Sequence, residues 1–207
     1  MSPALRRGPV PGHVAWVARQ APSFPAWAPE REGHALRALV DAALELRIGW
    51  LTILDPSSGR ALREDARGLA QRGVALADAA GCSPGPMSGP ENLVRVESPA
   101  LQVLLAGVWS GRRQIADALR TLAARGVRPV DVDEATIGET LGVPDVDLLV
   151  LTGSDRRVPD LLVWQVAYSE IVVIDEPWPE VDAEQLRAAV SEYQRRDRRY
   201  GGLVAPR

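Results

Sequence analysis

Few side chains in this chain can carry chemistry, and their types narrow it quickly. All 24 basic side chains are arginines and none is lysine, which removes every Schiff-base mechanism. One cysteine and two histidines are too few for a disulfide framework or a Cys/His zinc cluster. Cys82 sits in a Gly/Pro-rich stretch with no His beside it, so nothing there activates its thiol. What remains is arginine placed in groups. Arg156 and Arg157 stand together after Asp155, and Gln194–Arg207 carries five arginines against one aspartate, with Tyr200-Gly201-Gly202 directly after the run. Arginine grips phosphate and carboxylate in a fixed fork; a run of like charge is also ordinary on a solvated face.

The elements that must position these groups read as an α/β domain. The chain has 207 residues, 46% hydrophobic and 25% charged, with a net charge of −3. That suits one globular domain with a sizeable core and argues against a basic nucleic-acid surface. No 18-residue apolar run spans a membrane, and the start lacks the apolar stretch of a signal peptide; a cytoplasmic location is expected. Residues 1–11 are rich in Pro, Gly and Arg and read as a flexible segment, with one domain over 12–207. Short apolar runs at His13–Ala18, Ile48–Leu54, Asn92–Val96, Leu101–Ala106, Asp147–Leu151 and Ile171–Asp175 read as strands. Helices are expected from Glu30, over roughly 60–80, from Ser110, and from Asp182, where Gln185 three residues on suggests a capping box. Residues 81–91 are the strongest breaker cluster and read as a surface loop. Continuously apolar strands alternating with helices predict a mainly parallel sheet covered on both faces.

The segment Pro144–Gly202 makes the reading specific. Asp147-Leu-Leu-Val-Leu-Thr-Gly-Ser-Asp-Arg-Arg157, Leu162-Val-Trp-Gln-Val-Ala-Tyr-Ser-Glu170, Trp178-Pro179 and Arg198-Arg-Tyr-Gly-Gly202 resemble, in order and spacing, the C-terminal block of the cis-prenyltransferases, the undecaprenyl and dehydrodolichyl diphosphate synthases. Val108-Trp-Ser-Gly-Arg112, His13-Val-Ala and Gly33-His34 extend the likeness more weakly. The resemblance implies an α/β fold, dimers built on the C-terminal half, and condensation of isopentenyl diphosphate onto an allylic diphosphate held by arginines, backbone amides and Mg²⁺. Concentrated negative charge on the leaving diphosphate needs fixed positive partners.

The resemblance also assigns residues. Arg63 and Arg157 match family arginines that bind diphosphate, His34 stands at a phosphate contact, and Glu170 matches a metal-binding glutamate that is vestigial or weak here. Arg199 and Gly201 match an Arg-x-Gly element that reaches across the dimer into the partner's site. The departures are equally specific. The family's first strand ends in Asp-Gly-Asn-Gly-Arg-Trp, whose Asp holds Mg²⁺; this chain has Arg19-Gln-Ala-Pro-Ser-Phe24. Another family arginine is replaced by Leu151 and a serine by Pro159, while Ser57-Ser-Gly-Arg-Ala61 stands where the family has Ser-x-Glu-Asn-Trp. No catalytic residue is intact, and between Arg60 and Leu101 at least one of the helices that wall the family's apolar tunnel is expected to be lost or shortened.

The expected function is therefore a pseudoenzyme-like subunit, similar to the Nogo-B receptor type. It would pair with a catalytic cis-prenyltransferase, or with itself, and supply Arg199 and Gly201 in trans. Mg²⁺ would come mainly through the catalytic partner or a bound isoprenoid diphosphate. Peripheral membrane contact fits such a subunit, and nucleic acid does not. The alternative is an enzyme of altered chemistry, a short-chain prenyltransferase or terpene-forming catalyst that clamps a prenyl diphosphate with Arg19, Arg63 and Arg157. A third reading is a homodimeric sensor that binds a prenyl diphosphate without turnover.

Overall fold

The computed structural model describes residues 8–19, 29–54, 83–84, 93–98, 100–106, 110–158, 160 and 162–198. In chain order these form β1 (His13–Val17), α1 (Pro29–Glu45), β2 (Trp50–Leu54), β3 (Ser83–Pro84), β4 (Leu93–Ser98), β5 (Leu101–Ala106), α2 (Gly111–Ala124), a 3₁₀ turn (Pro129–Asp131), α3 (Glu134–Leu141), β6 (Leu148–Thr152), β7 (Glu170–Ile174) and α4 (Ala183–Arg195). One sheet runs β3-β4-β5-β2-β1-β6-β7. Strands β5, β2, β1, β6 and β7 are parallel, so the expected α/β fold with a mainly parallel sheet is the fold observed.

The apolar runs are continuous because both faces of the sheet are covered. Side chains alternate in direction along a strand. Val14 and Trp16 join one core cluster with Leu36, Leu39, Leu186 and Val190 of α1 and α4. Their neighbours Ala15 and Val17 join the other, with Leu54, Leu104, Leu149, Leu151 and Leu162. Trp16 is fully buried at the centre.

Three expectations need correction. Strands and helices do not alternate throughout: β4 and β5 form an antiparallel hairpin that lies beside β2. Ser83 and Pro84, inside the expected surface loop, pair with Glu97 and Val96 as a short edge strand, and an edge is where a sheet tolerates proline. Helix α3 was not expected. It buries no residue, so it shows little apolar stripe, and it is set by the capping box between Asp133 and Thr136. At the N-terminus, residues 1–7 lie outside the described residues. From Gly8 the chain is tied to α4, through Gly8 N–H to the Gln194 carbonyl at 2.8 Å and Gln194 Nε2 to the Gly8 carbonyl at 3.1 Å. The expected helix over 60–80 lies outside the described residues.

Candidate functional site

Parallel strands deliver their following loops to one edge of the sheet, where α/β proteins place ligands. At that edge β1, β6 and β7 end side by side. Arg19 follows β1 by two residues, and its backbone is fixed from both sides. Its N–H donates to Thr152 Oγ1 at 3.1 Å, and its carbonyl accepts from the Trp178 N–H at 2.7 Å. Thr152 hydroxyl in turn donates to the Val17 carbonyl at 2.7 Å. Gly153, at φ +75°, turns the chain directly after β6; a side chain would be strained there. Its N–H donates to the Glu176 carbonyl at 3.1 Å. The three loops are thus laced together beneath the charged groups.

The Arg19 side chain is 11% exposed and lies among the groups of the Gly153–Arg157 loop. One Nη donates to the Arg157 carbonyl. The other, Nη1, faces Asp155 Oδ1 at 3.7 Å, too far for a hydrogen bond, and is buried with no hydrogen-bond partner. An orphaned buried donor costs about 1–3 kcal/mol. Burial also lowers the Arg19 pKa, Asp155 opposes that shift, and Arg157 adds to it.

Asp155 belongs mainly to Arg157. Its Oδ1 accepts from the Arg157 backbone N–H and Nε, each at 3.0 Å, and its Oδ2 accepts from Nη2 at 2.9 Å. The Arg157 guanidinium and backbone N–H hold the Asp155 carboxyl well below the usual carboxylate range, and the carboxylate raises Arg157 in return. Arg157 is 88% exposed, so this pair stands in water above the half-hidden Arg19. Arg156 turns aside to Asp175 after β7, at 3.1 Å.

The sequence-expected residues divide between two ends of the sheet. Arg19 and Arg157 meet at the C-terminal ends of the strands. Glu170 does not join them. It pairs with Leu148 at the opposite ends of β7 and β6, four residues or about 13 Å from the Thr152 level, and binds Arg196 Nη1 at 3.1 Å. His34 is the sixth residue of α1 rather than its cap, and it is exposed. Leu151, in place of a family arginine, is 1% exposed in the second core cluster. Arg63, Arg199, Gly201, Cys82 and Pro159 lie outside the described residues. Among the described residues no three His, Cys, Asp or Glu side chains gather as for a metal ion.

Sequence reasoning gave Asp155 no role, although it stands inside the segment that carries the likeness. It also missed a polar network at the far end. Asp147 Oδ2 accepts from the Gly12 and His13 N–H groups at 2.8 and 3.2 Å, and its Oδ1 accepts from Arg198 at 2.8 Å. Arg198 also donates to the Tyr193 hydroxyl at 2.7 Å. His13 is buried between the Pro144 carbonyl, 3.0 Å from Nδ1, and Thr52 Oγ1, 2.8 Å from Nε2. A carbonyl only accepts, so Nδ1 carries the proton and Nε2 accepts from Thr52. Burial lowers the His13 pKa to about 4, against opposing contributions from Pro144, Asp145 and Asp147.

The N-terminus of α2 stands close to the same loop. Ser110 Oγ donates to Asp160 Oδ2 at 2.8 Å, and Gly111 N–H donates to the Asp160 carbonyl at 3.1 Å. A Cβ on Gly111 would lie 2.7 Å from Val163 Cγ2 and 2.8 Å from its backbone nitrogen, so only glycine permits this approach.

Comparison with known proteins adds the following. A family described as "Putative undecaprenyl diphosphate synthase" matches residues 91–201. Isoprenyl transferase 2 of Bradyrhizobium diazoefficiens is 33% identical over 242 aligned positions, covering 96% of this chain and 93% of that protein. The alignment exceeds the 207 residues of this chain, so the relative carries segments that this chain lacks. Isoprenyl transferase of Porphyromonas gingivalis is 31% identical over 185 positions, 84% of this chain and 66% of that protein. In fold, the chain is similar to lavandulyl diphosphate synthase from Lavandula x intermedia in complex with dimethylallyl diphosphate, with a TM-score of 0.67, 20% identity, and coverage of 93% and 98% of the two chains. It is also similar to a probable undecaprenyl diphosphate synthase from Campylobacter jejuni, with a TM-score of 0.63, 17% identity, and coverage of 92% and 98%.

Proposed function

The chain belongs to the cis-prenyltransferase family of undecaprenyl diphosphate synthases, and from that premise we propose that it is a non-catalytic subunit that pairs with a catalytic member of the family. The observation that carries this reading is Arg19. It occupies the end of β1 where the resemblance calls for the Mg²⁺-binding aspartate, and its guanidinium is engaged with the Arg157 carbonyl and Asp155. Mg²⁺ demands a near-octahedral set of oxygens. Among the described residues the carboxylate beside Arg19 is that of Asp155, already hydrogen-bonded to Arg157, and a guanidinium repels the ion. The described residues at this edge do not fit the metal. Without a Lewis acid to draw charge from the leaving diphosphate, the family's ionisation loses several kcal/mol of stabilisation. Leu151, packed into the core, removes a further charge.

The retained end of the chain supports the role in trans. Arg196 is held by Glu170, Glu192 and the Ile171 carbonyl, and Arg198 by Asp147 and Tyr193. These anchors lie at the N-terminal ends of β6 and β7. Arg198, the last described residue, therefore stands at the edge opposite Arg19, which supports a role of the Arg-x-Gly element in a neighbouring chain's site rather than in its own. Among the described residues no helix is long and apolar enough to cross a membrane, and membrane contact in this role is peripheral.

Co-expression with a catalytic relative, followed by size-exclusion chromatography with light scattering, tests the pairing; a stable heterodimer is expected. Arg199→Ala in that complex should lower turnover at least tenfold while the heterodimer persists. Unchanged turnover would overturn the role. The alternative of an altered-chemistry enzyme draws on the exposed Arg157 above Arg19. Product formed from a short prenyl diphosphate by the purified chain alone would favour it.

A further inference from the structure

The chain leaves α4 in an extended form that is gripped twice. The helix ends at Arg195, and Arg196 takes φ −83° and ψ 142°. Extended backbone turns residues two apart to one side. Arg196 and Arg198 are both held, and Asp197 between them is exposed. Arg196 donates to Glu170 Oε2 at 3.1 Å and to the Ile171 carbonyl at 2.8 Å, at the start of β7, and it also reaches Glu192. Arg198 donates from Nη1 to Asp147 Oδ1 at 2.8 Å and to the Tyr193 hydroxyl at 2.7 Å. Its guanidinium lies 5.4 Å from the centre of the Tyr193 ring, within cation–π range. The second grip reaches deeper into the fold. Asp147 Oδ2 takes the Gly12 and His13 N–H groups, and the Asp147 N–H donates to the His13 carbonyl at 3.0 Å. One side chain thus ties Arg198 to the starts of β1 and β6. None of these contacts is needed to stop α4, because its last turn already closes with the Arg196 N–H on the Tyr193 carbonyl at 3.1 Å.

We infer that Asp147 and Arg198 form a positioning clamp: they fix the residue before Arg199 to the rigid ends of β1 and β6, and so set the point from which the Arg-x-Gly element is presented to the neighbouring chain's site. This deepens the accessory role and rests on it. The physical reason is the cost of order. A tail that starts from a loose point must be immobilised when it engages a second chain, and that entropy is subtracted from its binding. A tail that starts from a fixed point has lost most of that freedom already. Misplacement by about 1 Å at a reacting centre can cost about a hundredfold in rate, so a clamp far from the reacting atoms registers in turnover. Asp147 and Arg198 are positioning residues in this scheme; they touch no substrate and act through Arg199.

The test is a double-mutant cycle in the heterodimer with a catalytic relative, read as kcat/KM for isopentenyl diphosphate. Arg198→Gln should lower kcat/KM about fivefold when Arg199 is present, and by less than about twofold in the Arg199→Ala background, because a group that acts only through Arg199 then has nothing left to position. Arg198→Lys, which keeps the charge but not the fork, should fall between the parent and Arg198→Gln. Light scattering verifies that each variant still pairs. In the purified chain alone, Arg198→Gln should speed amide exchange over residues 196–198 by about tenfold, as a local tether is lost. Equal losses in the two backgrounds mean that the clamp serves only folding or pairing, and they overturn the inference. An Arg198→Gln variant as active as the parent, or with unchanged exchange, overturns it too. Those failures leave the accessory role standing wherever Arg199→Ala lowers turnover. A silent Arg199→Ala, or a missing heterodimer, removes the accessory role and the clamp's purpose with it.

Discussion

The two ends of the parallel strands are built on opposite principles. At the N-terminal ends, Asp147, His13, Thr52, Arg198 and Tyr193 form a network of mutual hydrogen bonds, mostly out of water. It fastens the start of β1, the start of β6 and the end of α4 to one another. At the C-terminal ends, Asp155, Arg156, Arg157 and Asp175 are charged and reach solvent, while Arg19 beneath them is mostly buried and leaves a donor unmatched. Buried polar groups that are fully satisfied specify a structure; a partly satisfied, solvent-facing set is where a ligand can still gain contacts. The family reading gave weight to both ends. The structure separates them into an anchoring end and a charged end that keeps an unmatched donor.

If the division holds, substitutions at the anchoring end cost stability, and the largest cost should appear as a pH dependence. His13 is neutral in the folded protein, with its pKa lowered from 6.5 to about 4. Between those values the unfolded chain binds more protons than the folded one, so stability falls as pH drops from about 6.5 and is fully lost for this group below about 4. The shift corresponds to about 3 kcal/mol. Urea unfolding of the parent and of His13→Gln between pH 7 and 4.5 should show that slope in the parent only. A flat difference between the two would place His13 in water and break the comparison.

Next in size is Asp147→Ala. It removes the acceptor for the Gly12 and His13 N–H groups and for Arg198 at once. The expected loss is about 2–3 kcal/mol in urea unfolding, with faster amide exchange around Arg198. Gly111→Ala follows. Its new methyl meets Val163 backbone as well as side chain, so Val163 must shift, at about 1–3 kcal/mol.

The sequence disclosed the sheet better than the site, for a physical reason. Strands buried on both faces are continuous apolar runs, as at His13–Val17 and Leu148–Thr152, and a run of five such residues is visible without knowing its partners. The β4–β5 hairpin reads as two separate strands because its connection, Pro99-Ala100, carries none of the Asn-Gly or Gly signals of a tight turn. Helix α3 was missed because its stability comes from a cap, not from an apolar stripe. In the site, Arg19 and Arg157 were legible as charges placed just after strands. Asp155 carries no signal of its role in the sequence, because its meaning depends on Arg19, 136 residues earlier, folding against it. The Asp147–His13 contacts span 134 residues and rest on polar types common in any loop; nothing local marks them.

The smallest predicted effect gives the sharpest check on the charged end, where the alternative reading clamps a prenyl diphosphate. Arg156 and Arg157 are adjacent in sequence and both exposed, so composition alone treats them as equals. The geometry does not. Arg157 faces Asp155, whose other neighbour is Arg19; Arg156 faces Asp175, with the two side chains 66% and 84% exposed. An exposed pair of that kind is worth about 0–0.5 kcal/mol and is screened by salt. Arg156→Gln should therefore leave both urea stability and pyrophosphate affinity within twofold of the parent. In that alternative, Arg157→Gln should leave the urea midpoint in place yet weaken pyrophosphate about tenfold. Equal losses from the two variants would mean that pyrophosphate senses only the general positive field of the loop. A loss confined to Arg157 would mean that it senses the gap between two particular guanidinium groups, which is the distinction between a charged surface and a site.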